Sequence, residues 1–213
     1  MKTSEQPAAA EPKKTQAQRT ALSDRKMFDA AIALINERGT QKTTLKEIGE
    51  RAGYSRGLAN YRFGSKDKFM LELFESFDKL WKAHLVEHIG EATGLDGVLL
   101  AADALRDFLK TEASYMRAMY LLWYECLGHD SEMLGTLSLH HEVYRKDAKR
   151  WIEQGIASGE INPVINAEQF SVQYCAFIFG IVYQWLVNAS ALDLDAVFDN
   201  YKLHTTTLLK NTE

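Results

Sequence analysis

From about residue 22 to residue 210 the apolar positions recur every three or four residues, the spacing of helices that turn one face to a core. The first stripe, Met27, Phe28, Ala31, Ile32, Leu34 and Ile35, predicts a helix from 22 or 23 to 38, with Gly39 placed to stop it. A short second helix opens at Thr44, which is spaced with Glu47 as a capping box, and ends at Ala52 with Gly53 as the left-handed residue. A third opens at Ser55 and ends before Gly64. Ser65 then caps a long fourth helix with the stripe Phe69, Leu73, Phe77, Leu80, Trp81, His84 and Leu85. Further helices are predicted over 96–110, 112–127, 133–158, 167–189 and 194–210, the last two with Asn166 and Asp193 as caps. No strand-period alternation and no internal repeat stands out, so the fold class is all-α with nine helices.

Charge divides the chain unevenly. The net charge is −4, yet residues 13–68 hold thirteen Lys and Arg against six Asp and Glu, a local +7 that leaves −11 elsewhere. A basic first third on an acidic body suits a protein that meets a polyanion at one end. Residues 1–20, rich in Ala, Pro, Lys and Gln, read as a flexible basic arm. The only cysteines, Cys126 and Cys175, form neither a disulfide framework nor a zinc cluster, and a reducing, cytoplasmic setting is the expectation. The first twenty residues lack the apolar core of a secretory signal. The most apolar run, Tyr174 to Val187, is shorter than the roughly 20 residues of a bilayer span, so no membrane association is expected.

The informative stretch is Thr44 to Lys68, TLKEIGERAGYSRGLANYRFGSKDK. Two short capped helices joined through Ala52-Gly53-Tyr54-Ser55 make a helix-turn-helix, whose second helix enters the major groove of DNA N-terminus first. Arg56 suits a guanine edge or a phosphate, Gly57 permits close backbone approach, and Asn60 and Tyr61 offer an amide and a phenol. Thr44, Ser55 and Lys66 sit at helix N-termini, where a phosphate is favoured. This ordered string, running from about Leu22 to Phe74, resembles the DNA-binding domain of the tetracycline-repressor (TetR) family of bacterial transcription regulators. The resemblance implies a homodimer that sets two recognition helices in successive major grooves of a palindromic double-stranded operator, and an effector pocket in the C-terminal body. By position it makes Thr44, Arg56, Gly57, Asn60, Tyr61 and Lys66 the DNA contacts, while Leu45, Ile48, Ala52, Leu58 and Phe63 pack the small domain. Arg62 departs from the family's usual aromatic or His and is expected to add a base or phosphate contact. The expected organisation is an arm over 1–20, a helix-turn-helix domain over 21–66 and a ligand-binding and dimerisation body over 67–213.

In the body, the helix over 167–189 is apolar on nearly every side and must be covered twice, by its own core and by a partner chain. Phe170, Tyr174, Phe177, Gly180, Ile181 and Trp185 are the expected dimer residues. Aromatic-rich middle helices suggest a pocket for a hydrophobic or aromatic small molecule, lined by Trp81, Phe108, Tyr120, Trp123, Tyr124, Trp151 and Phe177. Glu125 and the pair His140/His141 are polar groups able to orient such a ligand. His84 and His88 share a helix face, but no third ligand accompanies them and no metal site is expected. The chain carries no G-x-S-x-G, P-loop, H-E-x-x-H or dinucleotide fingerprint, so neither catalytic residues nor a cofactor is expected and an all-α enzyme is disfavoured. The leading expectation is a ligand-released repressor. A helical adaptor that binds protein partners without reading DNA sequence competes with it.

Overall fold

The first helix begins earlier than the hydrophobic stripe suggests, because a polar signal starts it. In the computed structural model, which describes residues 15–55, 57–128 and 131–210, Thr15 and Gln18 form a reciprocal capping box that opens α1 (Gln16–Arg38). Residues 16–20 are therefore helical, not part of an arm; residues 1–14 of that expected arm lie outside the described residues. There follow α2 (Leu45–Arg51), α3 (Leu58–Phe63), α4 (Lys66–Ile89), α5 (Gly94–Thr111), α6 (Ala113–Cys126), α7 (Glu132–Ser158), α8 (Ala167–Val187) and α9 (Leu194–Leu209). The described residues thus form nine α-helices, a 3-10 turn over Ala189–Ala191 and no strand. Extended backbone at Asn188 (φ −153°, ψ 90°) ends α8 two residues before the expected stop.

Two capping expectations change in detail. Thr44 Oγ1 accepts from the Glu47 amide, but the Glu47 carboxylate does not reach back to the Thr44 amide. It takes the Thr44 hydroxyl proton at 2.6 Å and the Arg38 guanidinium at 2.9–3.0 Å. Ser55 does not cap α3, which opens at Leu58 with Gly57 before it. The turn between α2 and α3 depends on Gly53, whose φ of +82° a side chain would resist.

Helices α1 to α3 share their core with the body. Phe28, Phe63 and Phe69, from α1, α3 and α4, meet with ring centroids 4.7–6.0 Å apart. Buried apolar residues run on without a break from Met27 through Phe77 to Phe198. Asn36 Nδ2 also donates to the Ser114 carbonyl at 2.8 Å, tying α1 to α6. At the other end, Arg106 and Lys202 hold Asp103, Asp195 and Asp199 and clamp α5 to α9. Helix α8, at 21 residues, is long and apolar enough to cross a bilayer by length and composition. Its Ser171, Tyr174, Cys175, Ile181 and Val182 are instead buried against the rest of the chain.

Candidate functional site

Helix α3 buries Ala59 and Phe63 and leaves the opposite face open. On that face Gly57 and Asn60 are exposed, and Tyr61 is 88% exposed. A tyrosine ring carries a large apolar surface, and this one is covered by nothing in its own chain. Ser55 and Thr44 are exposed beside it. Arg56 lies outside the described residues. Lys42 in the turn before α2, Lys46 in α2 and Lys68 in the first turn of α4 are exposed and without an ion pair among the described residues, and none of them belongs to a sequence motif.

Two expected contacts are turned inward. Arg62 donates to Asp24 on α1 at 2.8–3.2 Å and to Glu72 on α4 at 3.2 Å, and its guanidinium lies 4.7 Å from the Phe63 ring centroid. With two carboxylates within reach, the guanidinium braces three helices instead of extending toward a groove. Lys66 Nζ donates to the Thr40 carbonyl at 2.7 Å and to that of Gln41 at 3.4 Å, pinning the loop before α2. Two more of the basic side chains are paired within the chain, Arg38 with Glu47 and Arg51 with Glu37.

The second feature is a cavity of about 50 Å³ at the meeting of α4, α5, α6, α7 and α8. Of the expected ligand-binding residues, Trp81, Tyr120, Trp123 and Trp151 line this cavity, together with Phe77, Leu85, Met116, Tyr144, Asp147, Tyr174, Cys175, Ile178, Phe179 and Val182. Three expected residues stand elsewhere. Phe108 is buried behind the wall, edge-on to Trp81 at 5.3 Å. Tyr124 is half exposed and packs on Tyr183 on the outer surface. Phe177 lies flat on Tyr201 at 3.6 Å, on the far side of α8. Tyr144 and Asp147 were missed, although their spacing of three and four places them on one face of α7 with Trp151.

Polar groups in this wall are few. The indole N–H groups of Trp81 and Trp123 are buried without a partner, and Tyr120 Oη donates to the Phe179 carbonyl at 3.2 Å. Burial pushes the phenols of Tyr120, Tyr144 and Tyr174 well above the usual range and the Cys175 thiol up to about 11. Among the described residues, Asp147 is the only Asp, Glu, Lys, Arg or His lining the cavity. Of the expected polar anchors, His140 Nδ1 hydrogen-bonds Asp78 Oδ1 on α4 at 2.9 Å, and that bond holds the Asp78 carboxyl below its ordinary value. His140 Nε2 is buried without a partner. His141 stacks on Phe179 at 4.3 Å, and desolvation lowers its basicity. Glu125 lines a separate hollow near Lys66 and Met133. His84 and His88 bond the Ala104 carbonyl, the His84 carbonyl and Asp107.

The expected dimer residues also divide. Phe170, Tyr174 and Ile181 are buried within the protomer and Trp185 half-buried, whereas Gly180 has no neighbouring atom where a side chain would stand. Helical periodicity explains the error: an all-apolar helix gives no clue to which stripe faces home. The open stripe of α8 is Val172, Ala176, Gly180, Tyr183 and Val187, with Leu203 and Leu208 exposed on α9.

Comparison with known proteins bears on both features. The pattern of the bacterial regulatory proteins of the tetR family matches residues 28–73. The HTH-type transcriptional regulator TtgR of Pseudomonas putida is 23% identical over 179 residues, covering 79% of this chain and 82% of TtgR. BetI of Brucella canis, another HTH-type transcriptional regulator, is 44% identical over 50 residues, or 24% of this chain and 25% of BetI. Among solved structures, the transcriptional regulator FadR of Bacillus subtilis in complex with stearoyl-CoA superposes with a TM-score of 0.74 at 19% identity, covering 86% of this chain and 98% of FadR. The SmeT–triclosan complex superposes at 0.72 with 18% identity, covering 89% and 92%.

Proposed function

We propose that the chain, whose residues 28–73 match the pattern of the tetR family of bacterial regulatory proteins, is a cytoplasmic, homodimeric repressor of that family that binds a palindromic operator and releases it when a hydrophobic or aromatic small molecule enters the body. The observation that carries this reading is the open face of α3. An aromatic side chain 88% exposed on a six-residue helix, beside Gly57 and Asn60 and among exposed lysines, is suited to a major groove. Thr44, Ser55, Asn60, Tyr61 and the residue Arg56 supply base and phosphate contacts, and Lys42, Lys46 and Lys68 add phosphate contacts. Arg62 and Lys66 hold the reading head in shape.

The dimer surface in this proposal is the open stripe of α8 with Leu203 and Leu208 of α9. Gly180 at its centre lets two α8 helices approach closely. The organisation is a reading head over 21–66 and a body over 67–213, joined through one continuous core. The effector site is the cavity around Trp81, Tyr120, Trp123 and Trp151. At about 50 Å³ it holds no drug-sized molecule without expansion, since such ligands occupy pockets of roughly 300 Å³ or more. An entering ligand therefore displaces wall helices, α4 among them.

Selection of binding sites from random duplex DNA tests the reading. A palindrome is expected to be enriched, with affinity falling steeply as salt rises. Tyr61→Ala is expected to leave thermal stability unchanged while weakening operator binding by about 1–3 kcal/mol. No enriched sequence, with the protein folded and dimeric, would favour the adaptor.

A further inference from the structure

The cavity opens outward. A groove of about 570 Å³ runs between α4 and α7, and five residues, Trp81, Leu85, Tyr144, Asp147 and Trp151, line both spaces and so form the threshold between them. Gly97 of α5 keeps this threshold in place from behind: a Cβ there would lie 2.8 Å from Trp151 Cδ1, so only glycine lets the indole seat.

The threshold combines one carboxylate with three aromatic rings, the pairing that recognises organic cations through charge and ring quadrupole together. The chain itself places a cation there. Arg150 Nη2 lies 2.9 Å from Asp147 Oδ1, and the Arg150 guanidinium lies 6.0 Å from the Trp151 ring centroid. The Arg150 side chain is 58% exposed, so it is free to swing into water. Other charges in the groove are Asp78, held by His140, together with Lys82 and Glu91. Beyond the threshold the wall holds no Lys, Arg or His among the described residues, so an anionic group carried inward would meet Asp147 and no counter-charge.

From this we infer that the effector is an aromatic amphiphile with a cationic head. Its aromatic body occupies the inner cavity, and its ammonium replaces the Arg150 guanidinium against Asp147 and the threshold rings. This rests on the cavity being the effector site.

Three probes that share a phenylpentyl body isolate the head group: 5-phenylpentylamine, 5-phenylpentan-1-ol and 5-phenylpentanoate. Isothermal titration calorimetry of the full-length protein at pH 7.5 is expected to rank them amine, alcohol, carboxylate, with the amine about tenfold tighter than the alcohol. Asp147→Asn is expected to bring the amine down to the alcohol's affinity and leave the alcohol unchanged. Arg150→Ala is expected to tighten the amine several-fold by removing its internal competitor, again without moving the alcohol. Should Asp147→Asn fail to fold, the wild-type ranking and Arg150→Ala decide the matter alone. Equal affinities, a preference for the carboxylate, or no binding by any probe would overturn the inference. Because no DNA is present, operator release is a separate readout: amine-selective binding that leaves the operator bound would count against the repressor reading and leave the head-group selection intact.

Discussion

Arg62 offers the sharpest test, because the sequence and the structure give it opposite duties. If it reads DNA, its removal leaves the fold intact; if it braces the reading head, the fold should suffer first. The guanidinium meets Asp24 through both Nε and Nη2 at 2.8–3.2 Å and Glu72 at 3.2 Å. The side-chain exposures are 35% for Arg62, 16% for Asp24 and 38% for Glu72. The Glu72 arm is thus nearly a surface pair worth about 0.5 kcal/mol, while the forked, more sheltered Asp24 arm is worth about 1–2 kcal/mol. Arg62→Ala is therefore expected to cost about 2 kcal/mol, or roughly 4–8 °C in Tm for a chain of this length. Denaturant unfolding at fixed protomer concentration should be run on Arg62→Ala, Asp24→Asn and the double variant. The two single losses are expected to overlap by about 1 kcal/mol or more in the double variant. Additive losses, or an Arg62→Ala protein of wild-type stability that no longer binds its operator, would refute the brace and return Arg62 to the DNA.

Other expectations follow from the core and its ionisable groups. Gly97→Ala should lower stability by about 1–3 kcal/mol despite alanine's better helix propensity, since the new methyl meets Trp151 at 2.8 Å; a shift in tryptophan emission on the same variant would report the displaced indole. Desolvation lowers the His141 pKa in the folded state, so the unfolded chain binds the proton more readily. Stability should accordingly be full above the ordinary imidazole value of 6.5 and decline as pH falls below it, and His141→Phe should flatten that part of the pH profile measured by thermal unfolding. Burial raises the thiols of Cys126 and Cys175, the latter to about 11, so Ellman's reagent at pH 8 should react with neither in the native protein and with both in guanidinium chloride.

Helix positions were readable because their signals are local. Caps at Ser65, Asn166 and Asp193 and the stop at Gly159 each sit within a few residues of the bonds they make. The start of α1 was missed for a related reason: attention to Met27 and Ile35 overlooked a capping box in a polar stretch. Which face of a helix meets what is a tertiary matter and was legible only in part. Phe177 and Tyr174 are three residues apart on one apolar helix, yet one stacks on Tyr201 and the other lines the cavity. The role of Arg62 was hidden because Asp24 lies 38 residues away in sequence. Asp147, the single charge in an apolar wall, carries no motif and gained its meaning only when α4, α7 and α8 closed around it.

The small size of the cavity bears on how the proposed switch could work. A cavity already sized for its effector could be filled without moving anything. One of about 50 Å³, walled by Phe77, Trp81 and Trp123, leaves no slack, because Phe77 and Trp123 meet edge-on at 5.8 Å and Phe77 and Trp81 meet Phe108 at 5.9 and 5.3 Å. Close-packed rings transmit displacement instead of absorbing it. Helix α4 carries that displacement toward DNA. Trp81 lies twelve residues along it from Phe69, about 18 Å of helix at 1.5 Å per residue, and Phe69 packs on Phe63 of α3 at 4.7 Å. The Arg62–Glu72 and Lys66–Thr40 contacts fasten α3 and the loop before α2 to the same segment. A tilt of α4 therefore carries the reading head with it, and in the proposed dimer a two-fold axis applies the motion twice. Adjacent major grooves demand a separation of about 34–36 Å, so a shift of a few ångströms per protomer suffices to lose one of the two half-sites.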